Sequence, residues 1–378
     1  MALALLSAKQ TVSTVPATIK ILFAAGEVGG ARALIPVIRE AAARGHGTAV
    51  LRNGYIAQEA DPQWRWVSLA SHDDAAEIDA LLNDTNADVV VFASSVKDSA
   101  ALSLARRAQM RGLKVLHVLD SWSAYSARMT TDGLPALSPD VYAVMDTLAA
   151  EAAIADGILE SSVRVTGQPD LSRRVLAYSS DKRQRIEDIG QSKQILFVSE
   201  PVAADHGASE ESEVYRGYTE TDALELFCSA LQSKHHQFYL SILPHPREDA
   251  ADLERAWEEH RGTLSGMVLQ KRKTVISVGN FDAVVGMSSI LLYEAWLTGR
   301  PTLSVQPGLR HHALRQIGLR PGVLLIDSKA GAEHQILSWF ATVKAGLPVQ
   351  MREDAKVHAQ APLNVLSLAI DLAAERQG

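Results

Sequence analysis

The sequence predicts an α/β protein of two domains, each built on a doubly wound parallel sheet, and three observations support this fold class. Short apolar runs typical of buried strands alternate with helical segments along most of the chain. The 378 residues exceed one typical core and suit two domains. A turn at residues 166–169 separates two such series of strands and helices. We therefore predict a first domain over 1–171, a second over 172–362 and a terminal helix over 363–378.

Composition narrows the class of protein. The net charge of −7 and the pI near 6.0 argue against a nucleic-acid binder, which needs a basic surface. The single cysteine, Cys228, excludes an internal disulfide, and no cysteine and histidine cluster has zinc-site spacing. Residues 1–18 suit a loosely docked arm, because the apolar start is too short for a signal peptide or a membrane span. We expect a cytoplasmic protein with at most peripheral membrane association.

In the first series, strands and helices alternate as a parallel sheet requires. Apolar runs predict strands at residues 19–24, 48–51, 66–69, 88–93, 113–119 and 141–144. Helices are predicted at residues 31–44, 74–82, 98–111 and 147–155, followed after the turn by 172–189. Right-handed crossovers place the carboxyl ends of all these strands on one edge of the sheet. The run 113–119 therefore delivers Asp120 to that edge.

The second series repeats this pattern. Strands are predicted at residues 194–199, 238–243, 268–270, 275–278, 283–285, 302–305 and 323–326. Helices are predicted at residues 219–231, 290–298, 333–344 and 363–376. Residues 201–216 carry no apolar period and leave the carboxyl end of the first of these strands. They form either a mobile loop over the ligand crevice or a disordered insertion without a role.

Residues 282–305 are the stretch with the clearest chemistry. A buried strand is followed by the small turn Gly286-Met287-Ser288-Ser289 and then by a helix. Free backbone N–H groups and the helix dipole make such a turn an anion site, to which the two serine hydroxyls add. Glu294 lies about one and a half turns further on, within reach of a sugar hydroxyl whose phosphate rests on the turn. The alternative is an ordinary turn with a serine N-cap.

This stretch resembles the nucleotide-sugar site of GT-B fold enzymes, which are the glycosyltransferases of two facing Rossmann-like domains and their relatives, the UDP-N-acetylglucosamine 2-epimerases. The resemblance implies that Gly286, Met287, Ser288 and Ser289 hold donor phosphate and that Glu294 holds the ribose. Residues 166–169, Thr-Gly-Gln-Pro, resemble the Thr-Gly-Asn-Pro junction of the epimerases. The family also implies that the terminal helix crosses back onto the first domain.

His245-Pro246, after the strand 238–243, resembles the His-Pro motif of bacterial sialyltransferases and polyol-phosphate transferases. Those families pair it with a downstream Ser-Ser or Ser-Thr motif, as Ser288-Ser289 does here. The resemblance implies that His245 contacts donor phosphate and helps the nucleotide leave, although the 2-epimerases carry a His-Pro here as well. Arg310 follows the strand 302–305 and binds either phosphate or an acidic sugar, unless it is a solvated helix start.

The acceptor side is predicted from the first domain. Asp120 is the best candidate general base, because it lies at the crevice edge within reach of an acceptor hydroxyl. The epimerases place a glutamate near this strand end, in His-Val-Glu-Ala, whereas here the carboxylate is shifted by one residue. Because side chains alternate faces along a strand, this shift argues against the epimerase interpretation. Glu27 belongs to the glycine-rich turn at residues 25–30, and Arg32 follows it. This turn faces the cleft in the family or is a solvated loop end. Trp122 and Tyr125 either stack on a sugar or belong to the core.

The sequence thus predicts a metal-independent glycosyltransferase that moves a sugar from a CMP- or UDP-linked donor to a hydroxyl of a carbohydrate or lipid-linked acceptor. The nucleotide-sugar is a substrate, so we expect neither a cofactor nor a metal. By family analogy the products are surface polysaccharide or glycolipid precursors. One alternative is a UDP-sugar 2-epimerase or hydrolase on the same fold, and another is a nucleotide-sugar-binding protein without catalysis. Donor, acceptor, stereochemistry and oligomeric state stay open.

Overall fold

The computed structural model describes residues 18–59, 61–96, 98–131, 133–180, 192–270, 276–346 and 350–377. The predicted arm at residues 1–18 lies outside these ranges except for its last residue. Residues 181–189 of the helix predicted at residues 172–189 also lie outside these ranges. Its described part belongs to α5, Pro169–Ser180. In the described ranges the chain forms two parallel sheets of seven and six strands, which confirms the predicted fold class.

The first sheet has the order β3-β2-β1-β4-β5-β6-β7, and every pair is parallel. Its strands are β1 Lys20–Ala24, β2 Gly47–Leu51, β3 Arg65–Val67, β4 Val89–Phe92, β5 Lys114–Val118, β6 Val141–Val144 and β7 Val163–Val165. The helices between them are α1 Val28–Ala43, α2 Ala75–Thr85, α3 Ser99–Met110 and α4 Thr147–Ala155. The central strands are buried on both faces because helices cover both, as their unbroken apolar runs predict.

The second sheet has the order β10-β9-β8-β11-β12-β13 and is also parallel throughout. Its strands are β8 Lys193–Val198, β9 Phe238–Leu243, β10 Gly266–Val268, β11 Ala283–Gly286, β12 Thr302–Val305 and β13 Val323–Ile326. The helices that follow α5 are α6 Val202–His206, α7 Glu220–Leu231, α8 Ala250–His260, α9 Ile290–Leu297, α10 Ala332–Ala345, α11 Ala355–Ala359 and α12 Ala361–Gln377.

The end of the chain returns to the first sheet. Val365, Leu366 and Ala369 of α12 are fully buried in the same apolar cluster as Ile21 of β1 and Val37 of α1. Burial of these side chains on the first sheet fixes the last helix there, since each of the two larger ones, Val365 and Leu366, contributes about 1.5–3 kcal/mol when removed from water. The domain limits given above stay predictions.

The sequence-based prediction lacks β7, α8 and α11, and two further segments differ from it. The strand predicted at residues 275–278 is not formed in its described part, and residues 278–280 make a 3₁₀ turn in which the Ser277 hydroxyl accepts a hydrogen bond from the Gly279 N–H at 3.3 Å. A serine followed by a glycine favours this local turn over strand pairing. Residues 201–216 contain the short helix α6, which starts directly after Pro201. No helix among the described residues has the length and apolar composition needed to cross a membrane.

Candidate active site

A cavity of about 190 Å³ lies between the carboxyl ends of the two sheets. Asp120, Trp122 and Ser288, all predicted site residues, line it together with Arg216. The other lining residues are Ser121, Ser123, Ile290, Tyr293, Ala313, Leu314, Gln316 and Ile317. A larger cavity of about 500 Å³ lies beside the amino ends of β1 and β2 and contains none of the predicted site residues. Ligands of doubly wound sheets bind at carboxyl ends, so the smaller cavity is the candidate active site.

The turn after β11 has the geometry of an anion site. Gly286 lies so close to β8 that a Cβ on it would be 2.9 Å from the Val198 carbonyl oxygen. Met287 is fully buried, and its carbonyl accepts a hydrogen bond from the Ser304 hydroxyl at 2.6 Å. Ser289 is the N-cap of α9, where its hydroxyl accepts from the Leu291 N–H at 3.3 Å. These contacts leave the Ser288 N–H and hydroxyl pointing to the same side of the turn.

An anion of the protein itself binds at Ser288. The Ser288 N–H donates to Glu200 Oε1 at 2.6 Å, and its hydroxyl donates to Oε2 of the same carboxylate at 2.7 Å. Arg216 Nη1 lies 3.8 Å from Glu200 Oε2. Glu200 lies two residues beyond the end of the buried strand β8 and so emerges at the sheet edge. Sequence reasoning missed both residues, although an acidic residue at the carboxyl end of a buried strand was a signal for Glu200.

Glu294 on α9 is buried, with a side chain only 2% exposed. Its Oε2 accepts a hydrogen bond from Arg174 Nη1 of α5 at 2.7 Å, and Arg174 Nη2 lies 3.4 Å from Asp170. An arginine of the junction helix therefore compensates the buried charge and ties α9 to α5. The contact of Glu294 with a ribose stays a prediction.

His245 opens a tight turn after β9. Its N–H donates to Glu248 Oε2 at 2.6 Å, and its Nδ1 accepts from the Arg247 N–H at 3.2 Å. Because Nδ1 is an acceptor, the proton of the neutral ring lies on Nε2, which is thereby a donor. Burial raises the pKa of Glu248, although hydrogen bonds from Ser199 and His245 oppose that shift.

Glu27 is exposed in the loop between β1 and α1. The pKa of Arg247 is raised chiefly by its hydrogen bonds to Asp205, and the charge of Glu27 adds to the shift. Glu27 therefore lies within electrostatic range of the His245 turn, which belongs to the opposite sheet. Arg32, further along α1, has its guanidinium carbon 5.8 Å from the ring centre of Tyr55.

Asp120 follows β5 and is held from several sides. Arg128 Nη1 donates to Asp120 Oδ1 at 2.6 Å, and both side chains are nearly buried. The other carboxylate oxygen faces Gly29 so closely that a Cβ there would overlap it. Gln168 Nε2 donates to the Asp120 carbonyl at 2.8 Å, which connects the junction turn to this strand end. Asp120 thus lies where a general base was predicted, in an orientation set by Arg128, and its role stays a prediction.

The aromatic candidates lie at the contact between the two domains. The Trp122 ring stacks on Tyr293 with centroids 3.7 Å apart and an interplanar angle of 3°, so one of its faces is covered. The Trp122 Nε1–H donates to Asp146 at 2.7 Å. Tyr125 is buried, and burial raises the pKa of its phenol. Stacking of Trp122 or Tyr125 on a sugar stays a prediction.

Arg310 lies outside the cavity. Its guanidinium pairs with Glu210 and lies 5.6 Å from the ring centre of Tyr215, both in the loop before α7.

Asp98 is a further residue that sequence reasoning missed. It is buried beside the glycine-rich turn, and its Oδ2 accepts from the Gly26 N–H at 2.5 Å. No group of three or more potential ligands for a metal ion occurs among the described residues.

No protein-family model and no curated protein matches this sequence. Solved structures do match. The UDP-GlcNAc 2-epimerase of Neisseria meningitidis bound to UDP-GlcNAc has a TM-score of 0.61 at 14% identity, over 93% of this chain and 99% of that one. The epimerase of Methanocaldococcus jannaschii has a TM-score of 0.63 at 12% identity, over 93% and 99%. The UDP-bound MnaA of S. aureus has a TM-score of 0.60 at 12% identity, over 92% and 94%. The chain therefore has the GT-B-like fold of these proteins, with two Rossmann-like domains.

Proposed function

We propose that this protein is an enzyme that binds a UDP-linked sugar between its two sheets and breaks the bond between the anomeric carbon and the phosphate. The observation that carries the proposal is the convergence of the Ser288 N–H and hydroxyl on one carboxylate at the start of α9. A phosphate presents the same charged oxygens to such donors, and helix N-termini favour it. The solved structures of the same fold include an epimerase bound to UDP-GlcNAc and MnaA bound to UDP.

The reaction we favour is epimerisation of the sugar at C2 or hydrolysis of the bond between its anomeric carbon and the phosphate. Glycosyl transfer is the second candidate. The fold likeness supports this order, since the two epimerases named above each match over 93% of this chain. Inversion at C2 requires a base that removes the C2 proton as UDP leaves C1, an acid that returns a proton to the opposite face, and re-addition of UDP to C1. We assign these roles to Asp120, which lines the cavity, and to Glu27 and His245, which do not line it but lie on neighbouring turns of the two domains. Donors at Ser288 and His245 Nε2 stabilise the charge that develops on the departing UDP.

One observation favours glycosyl transfer as the second candidate. The Asp120 carboxylate is paired with Arg128, whereas Glu27 is an exposed carboxylate near the His245 turn. Transfer to a hydroxyl needs a single general base, so Glu27 alone would serve it. The donor in that reaction is a CMP- or UDP-linked sugar.

Incubation with UDP-GlcNAc in D₂O, followed by proton and phosphorus NMR, separates these reactions. Epimerisation gives a second UDP-sugar and replaces the C2 proton by deuterium. Hydrolysis gives UDP and free sugar without any acceptor. Transfer leaves C2 protonated and releases UDP only when an acceptor alcohol is added. If UDP-GlcNAc neither reacts nor binds, and other UDP- and CMP-sugars behave alike, the proposal is wrong.

A further inference from the structure

The carboxylate of Glu200 accepts the hydrogen bonds of the Ser288 N–H and hydroxyl, which are the donors that the proposed function assigns to phosphate. Both of its oxygens accept hydrogen bonds from Ser288, at 2.6 and 2.7 Å. The same carboxylate lies 3.8 Å from Arg216 Nη1, and Arg216 lines the cavity beside Ser288. Glu200 therefore bridges the serine turn of one strand end and the cation that precedes α7.

A phosphate cannot bind to these donors while Glu200 holds them. Two like charges about 4 Å apart repel by several kcal/mol at the effective dielectric constant of a protein surface. The Ser288 N–H also has one hydrogen to donate, so one acceptor excludes the other. Exchange of one anion for another keeps both donors and the guanidinium satisfied, because the incoming phosphate offers the same acceptors.

Arg216 is positioned to receive such an anion. Its carbonyl accepts a hydrogen bond from the Arg310 N–H at 2.9 Å, which ties its backbone to the loop after β12. The next residue, Gly217, has φ of +96° and packs against the Gly308 carbonyl, so a side chain there would overlap that loop. The backbone at Arg216 is therefore fixed, and its guanidinium reaches the cavity from a rigid anchor.

We propose that Glu200 is an internal anion that holds Ser288 and Arg216 in the ligand-free protein, and that the diphosphate of the nucleotide displaces it and binds Arg216. The inference rests on the proposed function for the identity of the ligand, a nucleoside diphosphate or its sugar ester. It makes Arg216 a phosphate-binding residue and Glu200 the residue that sets how strongly charged a ligand must be. A ligand without phosphate gains nothing from this exchange.

Calorimetry with UDP, inorganic pyrophosphate and uridine tests the exchange in the full-length protein. Glu200→Gln keeps an acceptor for the Ser288 N–H but removes the charge, so UDP and pyrophosphate should bind about tenfold more tightly. Arg216→Gln should weaken both by roughly 10- to 150-fold, the loss of a hydrogen bond to a charged group. Uridine, which has no phosphate, should bind equally to all variants.

Glu220→Gln is the matched control. Glu220 is a neighbouring carboxylate that accepts from the Ala203 N–H at 2.8 Å, and among its described contacts none is to Ser288. Its loss should leave the affinity for pyrophosphate unchanged. If Glu220→Gln gives the same gain as Glu200→Gln, the effect is one of overall charge and the inference is wrong.

Other outcomes are equally decisive. Unchanged or weaker pyrophosphate binding by Glu200→Gln overturns the inference, whatever UDP does. A gain for pyrophosphate without any UDP binding upholds the exchange and overturns the proposed function instead. If Glu200→Gln does not fold, Arg216→Gln decides, since equal affinities of this variant and the wild type for pyrophosphate contradict the assigned role.

Discussion

At the scale of single residues, the carboxylates of the candidate site are already engaged by protein donors. Asp120 pairs with Arg128, Glu294 with Arg174, and Glu200 with Ser288. Charge-assisted contacts of this kind fix the direction of each carboxylate. A catalytic group in such a position is sensitive to small displacements, because misplacement by about 1 Å can lower a rate about 100-fold.

Gly29→Ala provides such a displacement of Asp120. The added Cβ would overlap the Asp120 carboxylate, while the helical backbone of α1 accepts alanine without strain. We expect turnover of a UDP-sugar to fall by roughly 10- to 100-fold, with UDP binding retained because Ser288 and Arg216 lie on the other domain. Stopped assays and calorimetry on the same preparation measure both quantities. Asp120→Asn is the comparison, since it removes the charge without moving the group, and full turnover by either variant would exclude Asp120 from the reaction.

At the scale of elements, the turn between β7 and α5 connects the parts of the chain that meet at the site. Gly167 has φ of +87°, and a Cβ there would overlap the carbonyl of Val357, just before His358 in α11. Gln168 binds the carbonyl of Asp120 through its amide and binds His358 through its N–H. The turn therefore sets the distance between the Asp120 strand end and the last two helices.

Gly167→Ala should destabilise the protein by about 2–4 kcal/mol, because about 1–2 kcal/mol of left-handed strain adds to a backbone overlap that needs the chain to move. Gly112→Ala is a matched control: φ is +75° there, and a Cβ would meet nothing within 4 Å. Gly112→Ala should lower the free energy of unfolding only by the left-handed backbone strain, because no overlap adds to it. Denaturant unfolding of the two variants measures the difference, and equal losses would show that the contact with Val357 carries no energy.

The same elements explain what the sequence could and could not predict. Unbroken apolar runs such as residues 89–92 and 195–198 predicted buried parallel strands, because only helices on both faces can cover such strands. The serine N-cap of α9 was readable as well, because capping is local. The partners of the site residues were not readable, since Glu200 and Ser288 lie 88 residues apart, and Arg174 and Glu294 lie 120 apart. Pairing over such separations depends on tertiary structure that no local pattern contains: β8 and β11, which precede Glu200 and Ser288, are neighbours in one sheet, and Arg174 and Glu294 lie on packed helices.

At the scale of the whole molecule, a buried polar contact joins the domains beneath the cavity. Arg320 of the second domain lies 3.0 Å from Asp146 of the first, and both are nearly buried. Its guanidinium carbon also lies 5.8 Å from the Trp122 ring centre and 5.4 Å from that of Tyr293, the two rings that stack on each other. One apolar cluster continues from the first sheet through Trp122 and Tyr293 into the second. The two domains are therefore held together at the site by a desolvated contact, and His358 lies at its edge.

The charge state of His358 makes this assembly sensitive to acid. Burial lowers the pKa of His358 to about 4 from an ordinary 6.5; Asp146 opposes the shift and Arg320 adds to it. Its Nδ1 accepts from the Gln168 N–H at 2.9 Å, which only the neutral ring can do. In the unfolded chain His358 binds a proton at about pH 6.5, but in the folded chain it does so only near pH 4. The contribution of neutral His358 to the free energy of unfolding is therefore complete above pH 6.5 and is lost as the pH falls toward 4. The loss should amount to about 3 kcal/mol over that interval.

His358→Asn keeps an acceptor for the Gln168 N–H but cannot be protonated. We expect the variant to be less stable than the wild type at pH 8, because the smaller side chain leaves a cavity in a buried site. Between pH 6.5 and 4.5, however, its free energy of unfolding should fall less steeply than that of the wild type. Urea unfolding over this range gives both slopes. His117, whose pKa is also lowered by burial, is present in both proteins, so the difference in slope isolates His358. Parallel curves would mean that His358 takes up its proton without disturbing the junction, and that acid sensitivity arises elsewhere.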